Sequence, residues 1–259
     1  MKVLLVSSKY QPEYSGSGFR AHHLYQRLSS KFNINYDVVC NSLINRKNEI
    51  YEYEGVEINK ISYPVDFEKL SGLKRKFHAI LSMFYEFYYS YKFIKKKGIK
   101  NYNLIHTFGN SWSIAFLTYY FYLKKKPILR ELVNNMNTPY YPIQFKNFFR
   151  GVFQKNNTMM IAISKKLEKL CKTYRVKNIW MRPNPIDEKK FFLVDKEEKF
   201  KLRNKLIHFS NQDIILTHIA SYMRQKNHIF ILDILKKLPE NFKLYLGGPV
   251  VNDENRKNF

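Results

Sequence analysis

The chain has 259 residues, 45% of them hydrophobic and 25% charged, a balance that suits a folded globular protein with one large or two ordinary domains. Its 45 Lys and Arg against 21 Asp and Glu give a net charge of +24, which favours nucleic acid, anionic lipid or phosphorylated ligands as partners. No nucleic-acid-binding motif accompanies that charge, and nucleic acid is set aside. Lysine is spread over the chain among abundant Asn, Ile, Tyr and Phe, so part of the charge reflects a compositional bias rather than one basic tail. Cys40 and Cys171, far apart, read as free thiols of a reducing compartment, and the adjacent His22 and His23 lack metal-ligand spacing. The apolar run at the start is too short for a signal-peptide core, and the expected location is cytoplasmic.

Lys2-Val3-Leu4-Leu5-Val6 reads as a strand buried on both faces. A loop with one Pro and the glycines Gly16 and Gly18 follows, and then Ala21, Leu24 and Leu28 recur at helical spacing. Strand, glycine loop and helix form a unit able to cradle phosphate, because glycines admit a ligand close to backbone and a helix start presents free N–H groups. A turn that merely needs flexible residues explains the same pattern. Gly-x-Gly here lacks the third glycine of a dinucleotide fingerprint and the Lys-Ser/Thr ending of a P-loop.

A second strand is expected at Tyr36-Asp37-Val38-Val39-Cys40, and an edge strand or hairpin over 51–63. Residues 73–100 form an aromatic helix with basic ends, whose only polar line is His78, Ser82, Glu86 and Ser90. It fits a membrane span, a helix buried in an α/β domain, or a helix lying on an anionic membrane surface. Glu86 and the tyrosines count against the span. The next strand, 103–109, ends in His106 followed by Gly109, and side chains at the carboxyl ends of parallel strands face the ligand crevice. His106 is therefore a candidate contact, with a backbone-bonded structural histidine as the plainer reading. Another apolar helix spans 113–123, and Arg130-Glu131 in the strand 128–132 reads as a salt bridge rather than a catalytic dyad.

An Asn- and Pro-rich loop covers 134–142, followed by a phenylalanine stripe at 145–153 beside basic residues, a second candidate for a lipid- or acceptor-facing surface. A strand at 158–163 ends at Ser164, with a helix behind it. This alternation is that of a doubly wound sheet. Pro183-Asn184-Pro185 marks a hinge, polar residues run over 195–205, and a new βα pattern starts at Ile214.

In order and spacing these pieces resemble glycosyltransferase family 4. They are the opening strand with its Ser15-Gly16-Ser17-Gly18 loop, Leu104-Ile105-His106, Ile163-Ser164, Pro183-Asn184-Pro185-Ile186-Asp187 with Phe191 or Phe192, Gln225-Lys226-Asn227, and Leu246-Gly247-Gly248-Pro249. The resemblance implies an α/β chain of the GT-B type. A complete N-terminal Rossmann-like acceptor-side domain would cover 1–182, a hinge 183–205, and an incomplete nucleotide-sugar-binding domain 206–259. It implies a retaining hexosyl transfer from a nucleotide-diphosphate sugar, held between the two halves, to a glycan or lipid-linked acceptor. Envelope polysaccharide or lipopolysaccharide assembly at the inner face of the cell membrane is the expected setting.

By the same resemblance, Gly16, Ser17 and Gly18 with the helix start, Lys226 and Arg224 would bind the donor, and His106 would contact the sugar near the reacting carbon. No metal or other cofactor is expected. The family often has Arg where this chain has Ser221, and its paired-glutamate motif would lie past residue 259. The expectation is therefore a front portion with impaired activity alone, its remainder possibly supplied as a separate chain. The alternative is a non-catalytic protein keeping the acceptor-side domain to bind membrane or a partner.

Overall fold

A computed structural model of the chain describes residues 1–13, 15–42, 46–132, 139–140, 146–188, 191–206, 210, 212–222 and 226–248. The chain divides into two units, Met1–Pro185 and Ile186–Phe259.

The first unit is built on one eight-stranded sheet. β1 (Lys2–Ser7) lies at its centre because it is apolar on both faces: Leu4 and Val6 join one core cluster, Val3 and Leu5 the other. Around it run β2 (Asn35–Asn41), β3 (Glu49–Tyr53), β4 (Val56–Ile61), β5 (Leu104–Phe108), β6 (Ile128–Leu132), β7 (Thr158–Ala162) and β8 (Ile179–Met181). Their order is β3-β4-β2-β1-β5-β6-β7-β8. All neighbours are parallel except β3, which pairs antiparallel with β4. The β3–β4 turn places Glu54 and Gly55 at φ of 48° and 76°, the paired positive values that suit a tight hairpin. The chain winds outward from β1 through β2 and then returns to β5 on its other side. That reversal makes the carboxyl ends of β1 and β5 the switch point, the place where α/β sheets take ligands.

α1 (Gly16–Phe32) covers one face of the sheet with Ala21 and Tyr25. The other face is covered by α3 (Trp112–Leu123), α4 (Lys146–Val152) and α5 (Lys165–Thr173). Serines begin three of these helices: Ser15, Ser111 and Ser164 each accept a backbone N–H from the first turn.

α2 (Gly72–Lys97) packs on α3, with Phe93 and Ile94 buried and the Phe87 ring against Trp112 and Phe116. Ser82 and Ser90 are buried, and Glu86 accepts from the N–H of Ser113 at 2.8 Å and from its hydroxyl at 3.0 Å. The polar line read from the sequence thus faces inward. Leu73, Phe77, Ile80, Phe84, Tyr88 and Tyr91 stand exposed along the outer face, Leu73 by 84%. No helix of the described residues is long and apolar enough to cross a membrane.

The second unit holds α6 (Lys196–Leu206), β9 (Ile214–Ile219), α7 (His228–Leu235) and β10 (Phe242–Gly247), with β9 and β10 paired in parallel. α6 falls where the sequence showed only a polar run. Its signals are a cap, with Asp195 accepting from the Glu198 N–H at 2.8 Å, and acidic residues in the first turn with basic ones in the last.

Candidate functional site

At the switch point the ends of β1 and β5 are drawn together. The N–H of Ser8 bonds the carbonyl of Phe108 at 2.9 Å. Gly109 has φ of 84°, and a Cβ there would stand 2.2 Å from the Ser8 hydroxyl, so this close approach requires glycine. Above it lies the start of α1. The Ser15 hydroxyl accepts from the Gly18 N–H at 2.9 Å, and its carbonyl accepts from the Phe19 N–H at 2.8 Å. The N–H groups of Gly16 and Ser17 are the remaining donors of the first turn.

The two glycines of this loop differ. A Cβ on Gly18 would come within 2.5 Å of the Lys9 carbonyl, whereas one on Gly16 would meet nothing within 4 Å. Gly18 is thus explained by packing, and Gly16 borders open space. Ser17 keeps its hydroxyl 3.5 Å from that of Ser8 and 3.4 Å from that of Ser15.

Beside this helix start is a buried charge cluster centred on Glu131, whose side chain is 0% exposed. One oxygen pairs closely with Arg182 and lies 3.5 Å from Nε2 of His106; the other lies 3.7 Å from Arg20. Arg20 projects from α1 and donates to Oδ1 of Asn184 at 2.5 Å, joining the Pro-Asn-Pro turn to the cluster. Arg182 follows β8 and stacks 5.5 Å over the Trp180 ring. The residues therefore come from α1, β5, β6 and the end of β8, and the parallel sheet gathers them at one edge.

Burial pushes the Glu131 carboxyl up, but His106, Arg182 and Arg20 outweigh it and hold the group below the usual carboxylate range. Burial pushes the His106 imidazole down from its ordinary 6.5; Glu131 opposes this, and Arg182 and Arg20 add to it. The ring is neutral at pH 7. Its Nδ1 is 2.9 Å from the hydroxyl of Tyr25, which burial keeps protonated. With that hydroxyl donating to Nδ1, the ring proton sits on Nε2, toward Glu131.

Arg130 does not form the expected pair with Glu131. Successive strand residues point to opposite faces, and Arg130 turns away to donate to Oδ1 of Asn110 at 3.0 Å. The sequence reading found His106 but missed Arg20, Arg182 and the true partners of Glu131.

In the second unit, Lys226 is exposed in the segment between β9 and α7, and Asn227 before α7 has φ of 54°. Arg224 lies outside the described residues. Gly248 follows β10 at φ of 156°, where a Cβ would stand 1.9 Å from the Ala220 carbonyl. Gly248 at this strand end is thus required by close backbone approach, whereas a Cβ on Gly247 would meet only ordinary contacts.

No protein-family model matches the chain, and no curated protein matches it. Solved structures do. HepE of Anabaena, a structure in complex with UDP and glucose, matches with a TM-score of 0.61 at 12% identity, over 100% of this chain and 64% of that one. The lipopolysaccharide outer core galactosyltransferase WaaB matches with a TM-score of 0.57 at 11% identity, over 99% of this chain and 63% of its own. UDP-GlcNAc 2-epimerase from Neisseria meningitidis, bound to UDP-GlcNAc, matches with a TM-score of 0.52 at 12% identity, over 100% and 68%. The chain thus spans somewhat under two thirds of the length of HepE. What these likenesses carry is the fold: an α/β chain of the GT-B type.

Proposed function

We propose that the chain serves a retaining glycosyltransferase, which moves a sugar from a nucleotide-diphosphate sugar to a glycan or lipid-linked acceptor at an anionic membrane surface. The observation that carries this reading is the Glu131-centred cluster at the carboxyl edge of the sheet, beside the open helix start at Gly16, in a chain of GT-B fold. Fold alone does not choose a chemistry, since an epimerase shares it. Transfer, and retention of configuration, rest on the motif resemblance.

The leaving diphosphate gains negative charge as the glycosidic bond breaks, so the site must stabilise that charge. The Gly16 and Ser17 N–H groups at the start of α1 suit the task, and Lys226 and Arg224 are assigned to donor binding on the resemblance. No metal is required when amide and ammonium groups carry the load. His106 is neutral; the Tyr25 hydroxyl holds its Nδ1, and its Nε2, 3.5 Å from Glu131, has no hydrogen-bond partner among the described residues. That suits a fixed polar contact to the sugar rather than a general base. The outer face of α2, aromatic with Lys74, Arg75 and Lys76 at one end and Lys92, Lys95 and Lys96 at the other, suits anionic lipid headgroups.

Titration calorimetry with UDP-glucose tests the donor reading. The full chain is expected to bind it, and Lys226→Ala to weaken binding roughly tenfold or more, the value of a charge-assisted hydrogen bond. Gly16→Ala, which clashes with nothing among the described residues, should leave the melting temperature unchanged yet weaken binding. Absence of binding to UDP-glucose and to other nucleotide sugars, or affinities untouched by both substitutions, would contradict it.

A further inference from the structure

Three side chains link the β3–β4 turn, α1 and the β1–α1 loop by hydrogen bonds. Oε2 of Glu54, in the turn, lies 2.8 Å from Nε2 of His22, and Nδ1 of His22 lies 3.1 Å from the Tyr10 hydroxyl. A carboxylate only accepts, so Nε2 carries the proton of the neutral ring and Nδ1 accepts from Tyr10. The bond to His22 is the main reason that the Glu54 carboxyl lies below the usual carboxylate range. His22 is 1% exposed, and Tyr10 and Tyr53 stand edge-on to its ring, with centroids 5.6 and 5.2 Å away.

A hydroxyl, an imidazole and a carboxylate in this order can activate the hydroxyl. Here they cannot. Tyr10 is 1% exposed and burial pushes its phenol up, so it keeps its proton and is closed to a substrate. What the three residues do is hold backbone. The Ser7 hydroxyl donates to the Lys9 carbonyl at 2.6 Å, and a Cβ on Gly18 would stand 2.5 Å from that same carbonyl. On the other side of Tyr10, the Gln11 carbonyl accepts from the Tyr51 hydroxyl at 2.6 Å. Tyr10 sits between these two anchors and is bonded to α1 itself through His22. The loop then leads to Ser15, whose hydroxyl and carbonyl cap the Gly18 and Phe19 N–H groups.

The turn has a second hold on α1, since Gln26 donates to the Glu54 carbonyl at 3.1 Å. The Glu54 carboxylate, 58% exposed, is therefore not needed to attach the hairpin, and its role is to orient His22. We infer that Glu54 and His22 are positioning residues, which through Tyr10 hold the β1–α1 loop on Gly18 and so set the Gly16 and Ser17 amides for an anion. That the anion is a diphosphate rests on the donor reading above; that the relay sets the loop does not.

Nitrogen-15 NMR of the full chain tests the inference on Glu54→Ala, Glu54→Gln and Tyr10→Phe. In the unsubstituted chain the His22 imidazole should carry its proton on Nε2. Glu54→Ala should mix the two tautomers and quicken amide exchange at Gly18 and Phe19 roughly fivefold, the worth of one hydrogen bond. It should weaken UDP-glucose binding to the same degree and leave the melting temperature unchanged. Glu54→Gln, whose amide oxygen still accepts from Nε2, should restore tautomer, exchange and binding. Tyr10→Phe should speed the same amides, and adding Glu54→Ala to it should change little more, because one relay is broken once. A tautomer or a Gly18 exchange rate untouched by Glu54→Ala, or a loss that Glu54→Gln does not restore, would overturn the inference. A chain that shows these changes but binds no nucleotide sugar would keep the clamp and reject the donor reading. UDP-glucose binding indifferent to Glu54→Ala and Tyr10→Phe would keep the donor reading and overturn the positioning role.

Discussion

Glu131 is the residue on which the candidate site turns. It is a fully buried carboxylate that offsets two guanidiniums and lies 3.5 Å from a neutral histidine. Glu131→Gln leaves Arg182 and Arg20 without their counter-charge. The expected loss is ~3 kcal/mol, at the low end for broken buried pairs because both arginines reach solvent. His106 and Glu131 both have folded pKa values below their ordinary 6.5 and 4.5, so the unfolded chain binds more protons than the folded one. Their stability contributions are therefore complete above those values and lost on acidification, the His106 part starting below 6.5 and the Glu131 part below 4.5. Thermal melts from pH 8 to pH 4 should show a falling Tm, and His106→Asn should flatten the segment between about 6.5 and 5. An unchanged slope in that variant would remove His106 from the buried network. The residue type and strand end of His106 were legible in the sequence. The partners of Glu131 were not, because Arg182 lies 51 positions away and only the folded sheet edge brings it near.

At the scale of elements, periodicity carried most of the reading. β1, β5, β6 and β7 are short apolar runs with turns behind them, and the structure has strands there. Two helices show its limits. α6 is polar all round, so only its cap and end charges mark it. α2 has apolar residues on every side, so its sequence does not say which face is covered; the serines and Glu86 turn inward because α3 offers them partners. What remains outside is an aromatic stripe between basic ends. The full chain should therefore bind vesicles containing phosphatidylglycerol, with affinity falling steeply as salt rises. Phe77→Ser, Phe84→Ser and Tyr88→Ser together should release it without lowering the Tm, since all three side chains are exposed. Salt-insensitive binding, or binding that survives the triple substitution, would contradict a lipid-facing α2.

Taken as a whole, the first unit joins a strand-order reversal, a helix start opening on free space and a buried ionic cluster at one sheet edge. The reversal at β1 and β5 marks the edge where α/β sheets take ligands. The net charge of +24 agrees with a site for a diphosphate, though it is distributed too widely to locate one. The second unit repeats a parallel βαβ motif and contributes Lys226 to the proposal on the strength of its motif.

The central claim is that this edge of the first unit receives a nucleotide sugar. It is tested most directly by NMR of the full chain labelled with ¹⁵N, following the Gly16 and Ser17 amides and the His106 imidazole as UDP-glucose is added. Saturable shifts at all three positions, with glucose 6-phosphate unable to reproduce them, are the predicted result. Binding of UDP-glucose that leaves these three resonances where they were would contradict the account.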